Sequence, residues 1–329
     1  MDDRRVTIDD VAKAAGVAAS TVSRAFSRPG RVSFETGERI RRVAAELGYR
    51  AGSLARALPS GATSMIALAV SDITNPFYAE LIKGAQAAAT AAGYTILLAD
   101  TQESSVYERQ ALDRAAPTVD GFVLTTTRMS DSAIRMLAKQ RPVIVLNRIV
   151  SDVPSVITDN PRGMRRAMEH LAELGHRRVT YLSGPEASWA DGMRWRSLRE
   201  AALELELTVR RTGHAPPTVG GGVSGVAEFA AHPTSAVIAY NDRVAIGAIR
   251  ALTARGVRVP EDVSVIGIDN IYPADLVTPA LTTVAAPLAA MGRTAVGNLL
   301  AIVRGARPRE HEPVVLPCRL VVRDSTGPA

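Results

Sequence analysis

Residues 7–27 read TIDDVAKAAGVAASTVSRAFS, two short helical patterns joined at Gly16. Thr7 stands three residues before Asp10, the spacing of a capping box, and Ile8, Val11, Ala12 and Ala15 then fall on one face at i, i+3, i+4 and i+7. Gly16 permits a sharp reversal because it adopts positive φ without steric cost. Val17, Val22 and Phe26 are spaced to pack back on the first helix, which leaves Ala19, Ser20, Ser23 and Arg24 pointing outward from the start of the second. In a helix-turn-helix these positions meet base edges and phosphates. A third amphipathic helix is expected from about Phe34 to Leu47, with Ile40, Val43, Ala44 and Leu47 inward. Together they predict a small three-helix head shaped for a DNA groove, although any one of them also reads as ordinary surface structure.

Charge supports this division of the chain. Residues 1–60 hold 11 Lys+Arg against 7 Asp+Glu, which leaves 28 against 26 for the remainder of a chain whose formal charge is +6. A mildly basic head suits contact with phosphates, though a solvated basic surface looks the same by composition. The 329 residues leave about 270 beyond the head, more than one core usually organises, so two further lobes are expected. With 47% hydrophobic and 22% charged residues the composition is globular, and no apolar run approaches the length of a membrane span. The start, with Asp2, Asp3, Arg4 and Arg5, lacks the apolar stretch of a signal peptide, so a cytoplasmic location is expected. Cys318 is the lone cysteine, and the five histidines (His170, His176, His214, His232, His311) follow no metal-ligand spacing. Neither a metal site nor a cofactor is expected, and these histidines read as structural.

Tyr49 to Ser64 reads as a linker in which Ser53 to Leu58 could form one and a half helical turns before Pro59 ends them. So short a helix needs a partner to order it. Beyond Met65, apolar runs alternate with helical stretches: Ile66–Val70, Ile96–Leu98, Phe122–Leu124, Val143–Leu146, Val179–Leu182, Ala236–Ala239 and Val263–Gly267. Short apolar strands separated by helices predict parallel sheets covered on both faces. Ligands of such sheets bind at the carboxyl ends of the strands, where Asp72 and Asn75, Asn147-Arg148, Asp159-Asn160, Asn241-Asp242 and Asp269-Asn270 fall.

These polar residues sit in phrases that, taken in order along the chain, resemble the lac repressor (LacI/GalR) family of bacterial transcription regulators: Asp10-Val11-Ala12, Thr21-Val22-Ser23-Arg24, Asn75-Pro76-Phe77, Val119-Asp120-Gly121, Leu174-Gly175-His176-Arg177-Arg178, Asn241-Asp242 with Ala245-Ile246-Gly247, Pro260-Glu261-Asp262-Val263 and Pro279-Ala280-Leu281-Thr282. The resemblance implies an N-terminal all-α helix-turn-helix head with hinge and an α/β core like the type I periplasmic binding proteins, of two doubly wound lobes. The head with its hinge helix would span 1–61 and the effector-binding and dimerisation domain 62–329, with lobes of about 62–159 plus 287–316 and 160–286 plus 317–329. Crossovers between lobes are expected near 159–162, 284–288 and 316–319.

The resemblance also assigns roles. Ala19, Ser20 and Arg24 fall on base-facing positions, with Arg24 the expected guanine reader, while Thr7, Thr21, Ser23, Ser27 and Ser33 are candidates for backbone contact. Ala18 replaces a serine common at the cap of the second helix, and Ala51-Gly52 replace the Pro-Asn usual before the hinge. Leu58 stands where the family inserts a leucine pair into the minor groove, which implies a homodimer on a pseudo-palindromic operator. The chain stops at Ala329 without a heptad tail, which argues against a tail-assembled tetramer. Asn75, Phe77, Asn147, Arg148, Arg194, Asn241 and Asp269 map to the effector cleft, and hydroxyl-binding carboxylate, amide and guanidinium groups beside a ring suit a small carbohydrate. Arg196 is an alternative to Arg194. Asn147 stands in place of a usual acid, and Gly220 in place of a stacking aromatic for which Trp189 could substitute.

The implied function is an allosteric repressor of carbohydrate-utilisation genes; a regulator answering a non-sugar metabolite or a phosphoprotein, as corepressor or activator, stays open. An enzyme is disfavoured. Gly220-Gly221-Gly222-Val223-Ser224-Gly225 spells GxGxxG, but no strand precedes it and Ala245 stands where the acidic partner belongs, so a flexible loop is expected there. A periplasmic binding protein would lack the head and carry a signal sequence.

Overall fold

The computed structural model describes residues 6–27, 29–49, 63–306 and 312–329. Leu58 and the rest of the expected hinge helix lie outside the described residues, as does the side chain of Ser27. The chain forms two compact units, a helical head and an α/β core.

In the head, α1 (Ile8–Ala15) starts at Thr7, whose Oγ1 accepts the Asp10 amide while Asp10 Oδ2 accepts the Thr7 amide at 2.8 Å. This reciprocal cap satisfies amides that the first turn leaves without partners. Gly16 ends α1 at φ 67°, and the Val17 amide reaches back to the Ala12 carbonyl at 3.0 Å. The chain then turns into α2 (Ala19–Ser27), and α3 (Phe34–Glu46) begins at Ser33, whose Oγ accepts the Thr36 amide. Val11, Ala12, Ala15, Val22, Ala25, Ile40 and Ala44 are buried together, with Ile8, Val17, Phe26 and Val43 packed around them. Two expectations need correction. Leu47 lies beyond the end of α3 and is exposed, and Ala19 is half-buried against this core rather than turned outward.

The core holds two six-stranded sheets. The first contains β1 (Met65–Val70), β2 (Thr95–Asp100), β3 (Phe122–Leu124), β4 (Val143–Leu146), β5 (Ser155–Thr158) and β11 (Val314–Leu316), in the order β11-β5-β4-β3-β1-β2. With α4 (Phe77–Ala91), α5 (Ser105–Ala115), α6 (Asp131–Gln140) and α11 (Leu288–Val303) it makes lobe 1. The second contains β6 (Arg178–Leu182), β7 (Thr208–Arg211), β8 (Ala236–Ala239), β9 (Ser264–Asp269), β10 (Thr282–Ala285) and β12 (Arg319–Val321), in the order β12-β10-β9-β8-β6-β7. With α7 (Asn160–Glu173), α8 (Trp189–Glu204), α9 (Val219–Phe229) and α10 (Asp242–Thr253) it makes lobe 2. Pairing within lobe 2 is parallel except that β12 runs antiparallel to β10, with Val284 opposite Leu320. The chain passes between the sheets three times, after Thr158, after Ala285 and after Leu316.

Both lobes rely on close helix contacts made through glycine. A Cβ at Gly84 of α4 would lie 2.0 Å from the Ala289 carbonyl oxygen of α11. The triplet Gly220–Gly222, expected as a loop, lies instead inside α9, and the reason is steric. A Cβ at Gly222 would lie 2.1 Å from the Val244 carbonyl oxygen of α10, and one at Gly247 would lie 2.0 Å from that of Val219. Helix-on-helix packing at this distance outweighs the weak helix propensity of glycine.

Candidate functional site

On the head, Ser20 and Arg24 are exposed on α2, and an Arg24 Nη2 donates to Ser20 Oγ at 3.4 Å one turn away. The guanidinium therefore lies along the helix face with most of its donors free for a base or phosphate. Thr21 and Ser23 are half-buried beside it. The hydroxyls of Thr7 and Ser33 are engaged as caps, donating to Asp10 Oδ2 and to Thr36 Oγ1. Ala18 offers α2 no side-chain cap, and its carbonyl takes the Thr21 amide at 2.8 Å.

Between the lobes, at the carboxyl ends of the strands, a cavity is lined by Asn75, Phe77, Tyr78, Glu103, Thr126, Arg128 and Asn147 from lobe 1 and by Ala190, Arg194, Pro217, Tyr240, Asn241 and Asp269 from lobe 2. Six of the seven residues expected in the cleft are in this lining. Arg148 is the exception. It is turned instead to the segment before α6, donating to the Met129 carbonyl at 2.8 Å and to Asp131. Arg128, four residues beyond β3, supplies the lobe 1 guanidinium instead. Trp189 is not part of the lining, and Ala190 and Pro217 are the apolar residues on that wall.

Most of the polar cleft groups are held by a partner in their own lobe. Asn75 Oδ1 accepts the Phe77 amide at 3.2 Å, and the Phe77 ring meets Tyr78 edge-on at 5.0 Å. Ser71, Tyr78 and Thr126 share a cluster of hydroxyl hydrogen bonds, and burial pushes the Tyr78 phenol up to about 12, so it remains a neutral donor. Arg128 Nε donates to Glu103 Oε2 at 2.7 Å. Across the cleft, Arg194 Nη1 donates to the Tyr240 carbonyl at 2.6 Å, its Nε to Asn160 Oδ1 at 3.3 Å, and its Nη2 lies 3.5 Å from Asp269 Oδ1. The guanidinium also covers the Tyr240 ring at 4.9 Å. Asn241 Oδ1 caps α10 through the Val244 amide at 2.9 Å. Arg196 is not in the lining, so Arg194 is the arginine that α8 sends inward.

Asp269 closes β9 with φ 112°, a left-handed conformation costly for any residue with a Cβ. The next turn is pinned by three contacts: the Ile271 amide to Asp242 Oδ2 at 2.8 Å, the Asn270 amide to Thr283 Oγ1, and Arg323 to Asn270 Oδ1 at 2.9 Å. Burial pushes the Asp269 carboxyl up to about 7, opposed by the nearby Arg194 guanidinium. Burial, with the charge of Asp269 beside it, pushes Asp242 well above the carboxylate range. Near neutrality Asp269 is thus poised to accept from, or donate to, a ligand hydroxyl. Glu103, Arg128, Thr126, Tyr78 and Tyr240 were missed in the sequence, although each of Glu103, Arg128 and Tyr240 follows an apolar run by one to five residues, the same signal that picked out Asn75 and Asp269.

Among the described residues no group of His, Cys, Asp and Glu could hold a metal ion, and no helix is long and apolar enough to cross a membrane. His176 is tied between Ser235 Oγ, at 2.8 Å, and Ser264 Oγ, and Cys318 is buried between β11 and β12. Family models match residues 7–51, as bacterial regulatory proteins of the lacI family, and residues 168–326, as a periplasmic binding protein-like domain. Over 98% of its length the chain is 34% identical to the HTH-type transcriptional regulator DegA of Bacillus subtilis, covering 99% of that protein. It is 33% identical to the ribose operon repressor of Halalkalibacterium halodurans, with 97% of each chain covered. The structure of a lac repressor dimer bound to operator and the anti-inducer ONPF matches with a TM-score of 0.87 and 25% identity over 98% of this chain and all of that one. A helix-turn-helix head with an exposed arginine, a two-lobed cleft and these end-to-end relatives place the chain in the LacI family of bacterial regulatory proteins, which are DNA-binding transcription regulators and not enzymes.

Proposed function

We propose that this regulator represses carbohydrate-utilisation genes and that a neutral, polyhydroxylated small molecule bound between its lobes sets its affinity for operator DNA. The observation that carries the effector class is the charge balance of the cleft. Its arginines are matched by carboxylates, Arg128 by Glu103 and Arg194 by Asp269, and the rest of the polar lining is amide and hydroxyl. A phosphate or carboxylate ligand would meet no unmatched cation in this lining and would face the buried Asp269 and the half-buried Glu103, a costly juxtaposition of like charges. A sugar, with hydroxyls that both donate and accept, satisfies such a lining, and Phe77 and Pro217 provide its apolar faces. The ribose operon repressor among the relatives is named for a sugar operon.

In this reading Asn75, Phe77, Asn147, Arg194, Asn241 and Asp269 contact the effector together with Glu103 and Arg128. Arg24 reads a guanine, Ser20 and Ser23 add backbone or single-bond contacts, and Leu58 of two copies wedges the minor groove at the centre of a pseudo-palindrome. The matched lac repressor is a dimer on its operator, and a homodimer is what this half-site geometry requires of the present chain. The protein works in the cytoplasm, where its DNA is.

A thermal-shift screen tests the effector class. Neutral pentoses, hexoses and disaccharides are compared with their phosphorylated forms, on the native chain and on Asp269→Ala. A neutral sugar at 100 times its dissociation constant should add about 2.7 kcal/mol to the folded state, and Asp269→Ala should abolish that shift. Stabilisation by phosphorylated sugars alone, or a shift that survives in the variant, would refute the assignment.

A further inference from the structure

The phrase Val119-Asp120-Gly121 belongs to the family resemblance, yet it takes part in neither the exposed face of α2 nor the cleft lining. Asp120 stands two residues before β3 and is only 7% exposed. Its carboxylate holds the last residues of the linker. Oδ1 accepts the Thr63 amide at 2.7 Å and the Thr63 hydroxyl at 2.9 Å, and Oδ2 accepts the Ser64 amide at 3.0 Å. The Asp120 amide in turn donates to the Met65 carbonyl at 2.7 Å, one rung before the Ala67 amide meets the Gly121 carbonyl at 3.0 Å. The pairing of β1 with β3 is thereby carried back, through one side chain, to the point where the linker ends.

The chain bends at this point. Ser64 has φ 56°, in the left-handed region that a residue with a Cβ adopts only at a cost. Ser64 is exposed, so side-chain packing does not impose that state. The carboxylate does: the amides of Thr63 and Ser64 bind its two oxygens, which fixes the orientation of two successive peptide planes. Hydrogen bonds to an ionised acceptor are roughly twice as strong as neutral ones, and burial keeps water from competing for them. Extended backbone at Ser64 would change the direction in which the chain leaves β1 toward the head.

Leu58 lies five residues before Thr63, at most about 18 Å along an extended chain, so the direction set at Thr63 and Ser64 bounds where Leu58 can reach. A linker fixed at one end also has less conformational freedom to lose when it engages DNA. We propose that Asp120 is a positioning residue for operator recognition: its carboxylate anchors the end of the linker and so sets the course on which the linker meets the operator. This rests on Leu58 and the linker engaging operator DNA, and it is independent of what occupies the cleft.

The test uses the full chain and a duplex selected from a random library, with a random-sequence duplex as the non-specific reference, both titrated by fluorescence anisotropy. Asp120→Asn exchanges one acceptor oxygen for a donor and should weaken binding to the selected duplex about tenfold, the scale of a lost hydrogen bond to a charged acceptor. Ser64→Val disfavours the left-handed backbone without touching Asp120 and should give a similar loss. Both should bind the random duplex as the native chain does. Ser64→Val carries the test if Asp120→Asn fails to fold, because position 64 is exposed. A role confined to the stability of lobe 1 would lower the melting temperature and leave the affinity of the folded chain for the selected duplex unchanged. That outcome, or an equal loss on both duplexes, would overturn the assignment. Leu58→Ala separates the two readings: native affinity for the selected duplex in that variant would reject the engagement of the operator by the linker, whereas loss in Leu58→Ala with native binding in Asp120→Asn and Ser64→Val would reject the anchor alone.

Discussion

Asp269 is the residue on which chemistry and conformation converge. Its left-handed backbone, its burial and its carboxyl raised to about 7 are imposed by the turn that Asp242, Thr283 and Arg323 hold in place. The folded, unliganded chain therefore binds this proton more tightly than the unfolded chain, whose carboxyl titrates near the ordinary 3.8. Between those two values stability falls as pH rises, and the loss is complete above about 7. Asp269→Asn removes this dependence, so its melting temperature relative to the native protein should rise between pH 5 and pH 8; a constant difference would show that the carboxyl is not raised. A bound hydroxyl that donates to Asp269 favours the ionised form, and effector affinity should then climb about tenfold from pH 6 to pH 8 in the native chain.

At the scale of elements, glycine placement decides how closely helices approach. Gly222→Ala drives a methyl against the Val244 carbonyl of α10, a backbone atom that cannot swing aside. We expect destabilisation of about 1–3 kcal/mol in denaturant titrations, against the gain that the same change brings in an exposed helix. Stabilisation would mean that α9 and α10 pack further apart. The same contact explains a misreading. Three successive glycines signal a loop in isolation, and only the neighbouring helix, distant in sequence, makes them helical. The parallel strands β1, β3, β4, β6, β8 and β9 were legible because both faces are buried and the residues run apolar. β7, with Thr208 and Arg211 exposed, and the threonine-rich β10 carry no such run, and their pairing partners define them. In the head, the capping box and Gly16 act within a few residues, so that unit was readable almost entirely. The cleft was readable at Asn147 and Asn241, within two residues of a strand end, at Asp269, which ends β9, and at Asn75, five residues past β1. Arg148 and Arg128 show the limit, because which of two post-strand arginines turns inward depends on loop geometry and on the carboxylate each one finds: Asp131 outside for Arg148, Glu103 inside for Arg128.

At the scale of the whole molecule, the proposed function couples two sites. The cleft lies between two lobes that the chain joins by three crossovers, and the head carries the exposed Ser20 and Arg24 of α2. An effector bound between the lobes shifts the equilibrium between lobe arrangements by its difference in affinity for them, and operator binding shifts it in return by the same amount. The sequence could name both sites and not the coupling, which depends on long-range contacts such as Asp72 with Arg243 and Ile271 with lobe 1. The most direct measurement selects a bound duplex from a random library and titrates it with the regulator by fluorescence anisotropy, with and without the neutral sugar that stabilises the protein. The account expects a pseudo-palindromic site whose affinity changes by about 5–150-fold on addition of that sugar, an effect lost in Asp269→Ala with operator affinity retained. A sugar that binds the cleft and leaves operator affinity unchanged would contradict it.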